Sequence, residues 1–304
     1  MRLLFGGAFI EIGGVVLRKL TPYLLLVPTF LIIILFIYFP AFNSFKLSFF
    51  QESFFGDKSI FVGLDNYIDL FTDSEYYKVL RTTFIYSLSS VGITIFLAFL
   101  IAQLLVKNLP GTRIFRTLMF SPYAVSPAIS ATLWSMMFTP TAGLLSYLFQ
   151  VIFHIDVDWL TTVPYAMIAL IAATVWKMLP FDLIFYIAAL QNIPDSILES
   201  SLIDGASSWT RMWKIKFPLV TPITFYLFIM NFTTTMFSSF GIIDIMTRGG
   251  PLGSTTTMIY RLYLDGFAFQ DNGLAAAESV VMFGVMSIIT YLYFRFVEKG
   301  VHYQ

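Results

Sequence analysis

The chain alternates between long apolar runs and short polar intervals that hold most of its charged and turn-forming residues. The runs fall at about residues 22–42, 82–106, 115–138, 164–190, 219–243 and 274–296. A helix of roughly 20 apolar residues is long enough to cross a hydrocarbon core, so each run reads as a transmembrane helix. The predicted fold class is therefore an all-α integral membrane protein with six transmembrane helices. Residues 1–20, glycine-rich and ending in Arg18-Lys19, read as an N-terminal cytoplasmic or membrane-surface segment, and 21–304 as a single transmembrane domain. An even number of spans puts both termini on one side. Arg2, Arg18, Lys19, Lys107, Arg113, Arg116, Arg211, Lys214, Lys216, Arg295 and Lys299 share that side, which predicts that both termini are cytoplasmic.

The longest polar interval on that side is 192–218, NIPDSILESSLIDGASSWTRMWKIKFP, between the fourth and fifth spans. Asp195 or Ser196 is expected to cap a short helix, with Glu199 near its positive end. Asp204-Gly205-Ala206 then breaks it, and Ser207-Ser208 can cap a second short helix carrying Trp209, Met212 and Trp213. On the outer side, Asp65 or Asn66 is expected to cap a helix running toward Tyr77.

Composition agrees with a membrane chain: 58% of residues are apolar and 12% charged, against about a quarter charged in soluble domains. Net charge is zero and the basic residues are scattered, which argues against nucleic acid as a partner. The chain has no cysteine, so disulfides and thiolate chemistry are excluded. His154 and His302 stand far apart without companions, and no metal site is expected. Phosphate-cradling Gly-x-x-x-x-Gly-Lys, His-Glu-x-x-His and Gly-x-Ser-x-Gly motifs are absent, so no catalytic residues are assigned.

Polar residues inside the spans then carry the interest, because hydrocarbon makes them costly. The fourth span holds Thr174, Lys177 and Asp182, with Pro180 between the charges. Lys177 either pairs with Asp182 across the proline or presents a cation to a solute path, and the two are compatible. The third span contains Ser121-Pro122-Tyr123 and Ser126-Pro127, which predicts an irregular helix lining a cavity. In the fifth, Asn231, Thr233, Thr234, Thr235, Ser238 and Ser239 serve either interhelical hydrogen bonds or a polar lining.

Glu199-Ser200-Ser201, then Asp204-Gly205-Ala206, with nine residues between Gly205 and Ile215-Lys216-Phe217-Pro218, resembles the E-A-A-x-x-x-G-x9-I-x-L-P motif of permease subunits in binding-protein-dependent ABC importers. Serines replace both alanines and phenylalanine the leucine. Phe61 to Tyr67 (FVGLDNY), Pro122 to Val125 (PYAV), Arg248-Gly249-Gly250-Pro251 and Ala275 to Ser279 (AAAES) resemble the carbohydrate-uptake, maltose-permease-like branch. Trp176-Lys177 and the C-terminal stretch from Phe294 are similar to its glycerol-phosphate-importing members.

The resemblance implies coupling helices in 192–218 that dock on an ATPase, through Glu199, Ser200, Ser201, Asp204, Gly205, Ala206 and Arg211. It implies a substrate path at Tyr123, Thr174, Lys177 and Ser239; Asn231, Thr235 and Ser238 join it on polarity alone. The expected function is a non-enzymatic permease subunit, in a bacterial or archaeal cytoplasmic (inner) membrane, that moves sn-glycerol 3-phosphate or a glycerophosphodiester by alternating access. Alternatives are a neutral mono- or oligosaccharide solute, or an ion-driven transporter or channel. The implied partners are a second homologous permease, two copies of an ATP-binding subunit carrying ATP and Mg, an extracytoplasmic solute-binding protein and membrane lipid. No cofactor is expected in this chain.

Overall fold

A computed structural model describes residues 23–52, 59–107, 110–154 and 156–297. The predicted segment 1–20 and the tail carrying Lys299 and His302 lie outside them. The helices are α1 (Tyr23–Leu47), α2 (Asp65–Thr72), α3 (Ser74–Leu105), α4 (Thr112–Ala124), α5 (Pro127–Met137), α6 (Leu144–Phe153), α7 (Tyr165–Gln191), α8 (Asp195–Ile203), α9 (Ser208–Leu219), α10 (Thr221–Phe237), α11 (Phe240–Met246), α12 (Met258–Tyr263) and α13 (Asn272–Val297). An antiparallel hairpin, β1 (Phe50–Glu52) with β2 (Ser59–Phe61), follows α1. Among the described residues α1, α3, α7 and α13 are long and apolar enough to cross a membrane, and α9 with α10, bent by 68°, make a fifth if taken as one span.

The centre of the fold is the pair α3 and α7. Tyr86 meets Thr174 and, further along both helices, Phe99 meets Tyr186, so the two run parallel. Small residues let them approach closely: Ala98 and Ala102 on α3 and Ala166, Ala169 and Ala173 on α7 are fully buried. In lipid the tails are as apolar as leucine, so this close packing, rather than escape from water, holds the helices together. α10 packs on α3, α4 on the same α7, and α11 on α5. The apolar surface of α1 is exposed, and only its C-terminal part packs against α13.

Two predicted spans are broken. The run at 115–138 is not one helix: α4 ends at Ala124 and α5 begins at Pro127. Pro127 pushes Ser126 into an extended conformation (φ −64°, ψ 153°), and as the first residue of α5 it needs no amide partner. Pro122, inside α4, cannot donate to the Leu118 carbonyl, and the Ser121 hydroxyl does so instead at 2.8 Å. The run at 219–243 is interrupted at Ser238 and Ser239. Thr233, Thr234 and Thr235 each turn a hydroxyl back onto a carbonyl of the preceding turn, which loosens the helix just before its end.

Capping also differs from expectation on the outer side. Neither Asp65 nor Asn66 caps α2; Asn66 is buried and donates to the carbonyls of Ser48 (2.9 Å) and Phe50 (3.1 Å), fastening β1 beneath the helix. The helix does not reach Tyr77, because Asp73 caps α3 by accepting from the Glu75 amide at 2.8 Å. Beside it, Arg261 of α12 bonds Asp265 at 2.6 Å and lies 3.8 Å from both Asp73 and Glu278, joining α3, α12 and α13.

Gly273, at the start of α13, passes so close to β1 that an added Cβ would sit 2.1 Å from the Phe50 carbonyl oxygen. Gly273→Ala is expected to lower the thermal midpoint in detergent, whereas Gly284→Ala, with open space around it, leaves the midpoint unchanged.

Candidate functional site

α3, α4, α5, α7, α10 and α11 enclose a cavity of about 300 Å³. Each contributes through a residue whose position follows from its helix. Tyr86 projects from α3, and its hydroxyl bonds Thr174 on α7 at 2.8 Å. One helical turn on, Lys177 lines the cavity beside Met178 and Phe181. α10 brings Asn231, Thr234 and Thr235, and the interrupted end of its span brings Ser238 and Ser239. The break between α4 and α5 supplies Tyr123, Pro127 and Ser130. All seven residues expected from the sequence to line a path, Tyr123, Thr174, Lys177, Asn231, Thr235, Ser238 and Ser239, meet at this one cavity.

Lys177 is the single charged residue in the lining. Its ammonium donates to the carbonyls of Pro122 (2.9 Å), Tyr123 (3.2 Å) and Val125, the last carbonyls of α4 and its cap. Those groups lie where the helix stops, only the Pro122 carbonyl also accepting from a backbone amide, that of Val125 at 3.2 Å, and the negative end of the helix dipole favours a cation there. The Tyr123 ring lies 5.9 Å from the same nitrogen and stacks on Phe181 at 6.4 Å.

The expected Lys177–Asp182 pair does not form. Residues five apart on a helix point to different faces, since neighbours on one face are three or four apart. Asp182 faces α10 instead and is fully buried, with its Oδ2 accepting from Asn231 Nδ2 at 2.7 Å. Asn231 therefore serves both readings left open by the sequence, joining two helices while lining the cavity.

The polar interval 192–218 forms a knob at the end of α7. α8 begins after Pro194 without a side-chain cap, so neither Asp195 nor Ser196 has the expected role. It closes at Gly205 (φ +74°), where the Gly205 amide bonds Leu202 and the Ala206 amide bonds Ser201, each at 3.0 Å. Only a left-handed residue closes a helix in this way, which explains the glycine. Ser207 then caps α9 by accepting from the Thr210 amide at 3.2 Å, as expected. Ser201, where the motif has its second alanine, is buried and its hydroxyl is taken by the Leu198 carbonyl. Glu199, Ser200 and Asp204 are exposed, Ala206 and Arg211 are half-buried, and Arg211 donates to Ser208 at 3.3 Å. Ile203 and Trp209 are among the most exposed apolar side chains on the knob, at 87% and 69%.

The knob is tied to the helices that build the cavity. Trp213 packs among Phe96, Phe99 and Phe217, and Lys216 donates to Gln103 of α3 at 3.1 Å. The knob therefore packs directly against α3.

Interrupted helices around a cavity with hydroxyl, amide and ammonium groups in its lining, and an exposed helical knob at the end of α7, are the geometry of a permease subunit. The chain belongs to the family described as binding-protein-dependent transport system inner membrane components, whose model matches residues 12–303. It is a multi-pass inner membrane protein. Among curated relatives, the sn-glycerol-3-phosphate transport system permease protein UgpA of Agrobacterium fabrum (strain C58 / ATCC 33970) is 39% identical, covering 94% of this chain and 97% of its own length. The UgpA of Escherichia coli (strain UTI89 / UPEC) is 38% identical over 93% of this chain and 96% of its own. The fold matches a chain in the crystal structure of a bacterial ABC transporter involved in import of the acidic polysaccharide alginate, with a TM-score of 0.79 at 21% identity, covering 94% of this chain and 99% of that one. A second match, at TM-score 0.78, is to the bacterial alginate ABC transporter in complex with an alginate pentasaccharide-bound periplasmic protein.

Asn231→Leu removes the donor to a fully buried carboxyl group and is expected to lower stability by about 1–3 kcal/mol. Adding Asp182→Leu should cost less than the sum of the single changes, and a double-mutant cycle of unfolding in detergent measures the difference.

Proposed function

We propose that this chain is the permease subunit through which an ABC importer admits a phosphorylated polyol, sn-glycerol 3-phosphate or a glycerophosphodiester, by alternating access. The observation that carries the solute class is the cavity lining, in which Lys177 is the one charge and no acidic residue appears. A phosphate ester in a narrow, low-dielectric path needs such a cation. The hydroxyls and amide of Thr174, Asn231, Thr235, Ser238 and Ser239 suit the polyol, and Tyr123 offers a ring face. The similarity to sn-glycerol-3-phosphate permeases supports the same solute.

The subunit crosses the membrane six times with both termini in the cytoplasm. α4 and α5 together make the third crossing and α10 with α11 the fifth. The parallel run of α3 and α7 supports this count, because the chain must return across the membrane between them. The knob meets one of two ATP-binding subunits, which hold ATP and Mg, through Glu199, Ser200, Ser201, Asp204, Gly205, Ala206 and Arg211. A second homologous permease completes the path, and an extracytoplasmic binding protein delivers the solute. Closure of the ATPases pushes the knob, and the aromatic packing around Trp213 carries the push to α3 and α7. Coupling requires that solute and nucleotide each favour one of the two states.

Uptake of sn-glycerol 3-phosphate into vesicles holding the full set of subunits tests the solute. Lys177→Met is expected to reduce uptake by about tenfold or more, with much of it retained in Lys177→Arg. Undiminished uptake by Lys177→Met overturns the charge assignment. Gly205→Val forces a β-branched residue into a left-handed conformation, at a cost of about 1–3 kcal/mol. It should assemble poorly with the ATPase and uncouple uptake while the membrane helices stay folded; normal uptake would remove the knob from the coupling path.

A further inference from the structure

The break in the third predicted span brings two opposite helix ends together at the cavity wall. α4 presents its carbonyls, already covered by Lys177, and α5 presents its amide end. α5 is 11 residues long, enough for an aligned dipole, and Pro127 and Ser130 from its first turns line the cavity. Ser126 meets two of the first amides of α5, its carbonyl accepting from the Ser130 amide at 2.9 Å, and Ala128 keeps an N–H for which the described residues supply no partner. Pro127 has no N–H, and the Ser126 hydroxyl takes the Ile129 amide at 3.3 Å. Ser130 is fully buried, lines the cavity, and its Oγ has no hydrogen-bond partner among the described residues. A helical side chain leans toward the N-terminus of its helix, which aims this hydroxyl along the dipole toward the break.

Lys177 has three N–H donors and spends them on three carbonyls. The full ammonium charge exceeds the partial charge of the α4 end, so the electrostatic balance at the break is left positive, with the Ala128 amide and the Ser130 hydroxyl beside it. An anion is the ligand that satisfies all three.

We infer that the break between α4 and α5 is an anion subsite, in which the N-terminal end of α5, the Ser130 hydroxyl and Lys177 receive the phosphate group of the solute. The polyol end then points toward α10 and the Ser238–Ser239 interruption, and the phosphate takes at least one N–H of Lys177 from α4. Arrival of the phosphate thereby loosens the tie between α4 and α7. The phosphate-ester reading above supplies only the identity of the anion; the subsite follows from the geometry.

The chain has no cysteine, so Ser130→Cys gives the full-length protein a single thiol at the subsite. In membrane vesicles, anionic sulfonatoethyl and cationic trimethylammonioethyl methanethiosulfonate compete for it, each rate taken relative to that with a small free thiol. The anionic reagent should be favoured by about tenfold, as expected for a positively polarised cleft. Lys177→Met in the same background should abolish the preference, and inorganic phosphate or sn-glycerol 3-phosphate should slow labelling. Pro127→Cys, on the same wall, provides the same reading if position 130 reacts too slowly or its variant misfolds. Equal rates or a cationic preference at both positions overturn the inference, as does labelling that neither phosphate compound slows. If the assembled importer fails to take up sn-glycerol 3-phosphate while the anionic preference persists, the solute assignment falls and the anion subsite stands.

Discussion

The backbone of a membrane helix must find every hydrogen bond inside the protein, and this structure turns on how it does so at the break after Ala124. Two prolines within six residues deny α4 and α5 a continuous ladder. The terminal carbonyls of α4 are gathered by a single side chain, the Lys177 ammonium, reaching from α7. That contact joins the broken span to the central helix and leaves one cation at the cavity wall. A leucine at the same position would leave both the helix end and the cavity without a charge.

Around this contact the rigid and the yielding parts are separated by residue type. α3 and α7 meet through alanines and buried tyrosines, giving a close-packed pair with little room to slide. The third and fifth predicted spans are interrupted and rich in hydroxyls that bond their own backbone. The cavity lies between the rigid pair and the interrupted elements, which is where a path that opens alternately to two sides needs compliance. The Asp182–Asn231 bond fixes α10 to α7 at the boundary between them.

The knob uses the same economy. Gly205 closes α8 with two backbone bonds, so the exposed face of Glu199, Ile203 and Asp204 needs no side-chain support of its own. Serine at 201 replaces an alanine without loss of packing, because its hydroxyl finds the Leu198 carbonyl one turn back. Behind this face, the Trp213 ring of α9 packs on Phe96 and Phe99 of α3.

Much of this was legible in the sequence because it depends on local periodicity. Apolar length marks the long helices, and Gly205 and Ser207 mark the knob; family resemblance picks out Tyr123, Thr174, Lys177 and Ser239, polarity within a span adds Asn231, Thr235 and Ser238, and the seven meet at one cavity. Pairing between distant elements was not legible. Lys177 and Asp182 are close in sequence, yet they face different neighbours, because helix geometry rather than sequence distance decides which side chains meet. Asn66 looked like a cap and instead holds a hairpin, since its partners are 16 and 18 residues away. Tyr86 and Ser130 carried no sequence signal as cavity residues; the approach of α3 to α7, and the aim of α5 after its break, place them there. The sequence by itself determined where the long apolar helices α1, α3, α7 and α13 lie and which polar groups must be satisfied, because both follow from local backbone and solvent costs. Only the tertiary structure decided which partner satisfies each group, because that depends on helices brought together across the whole chain.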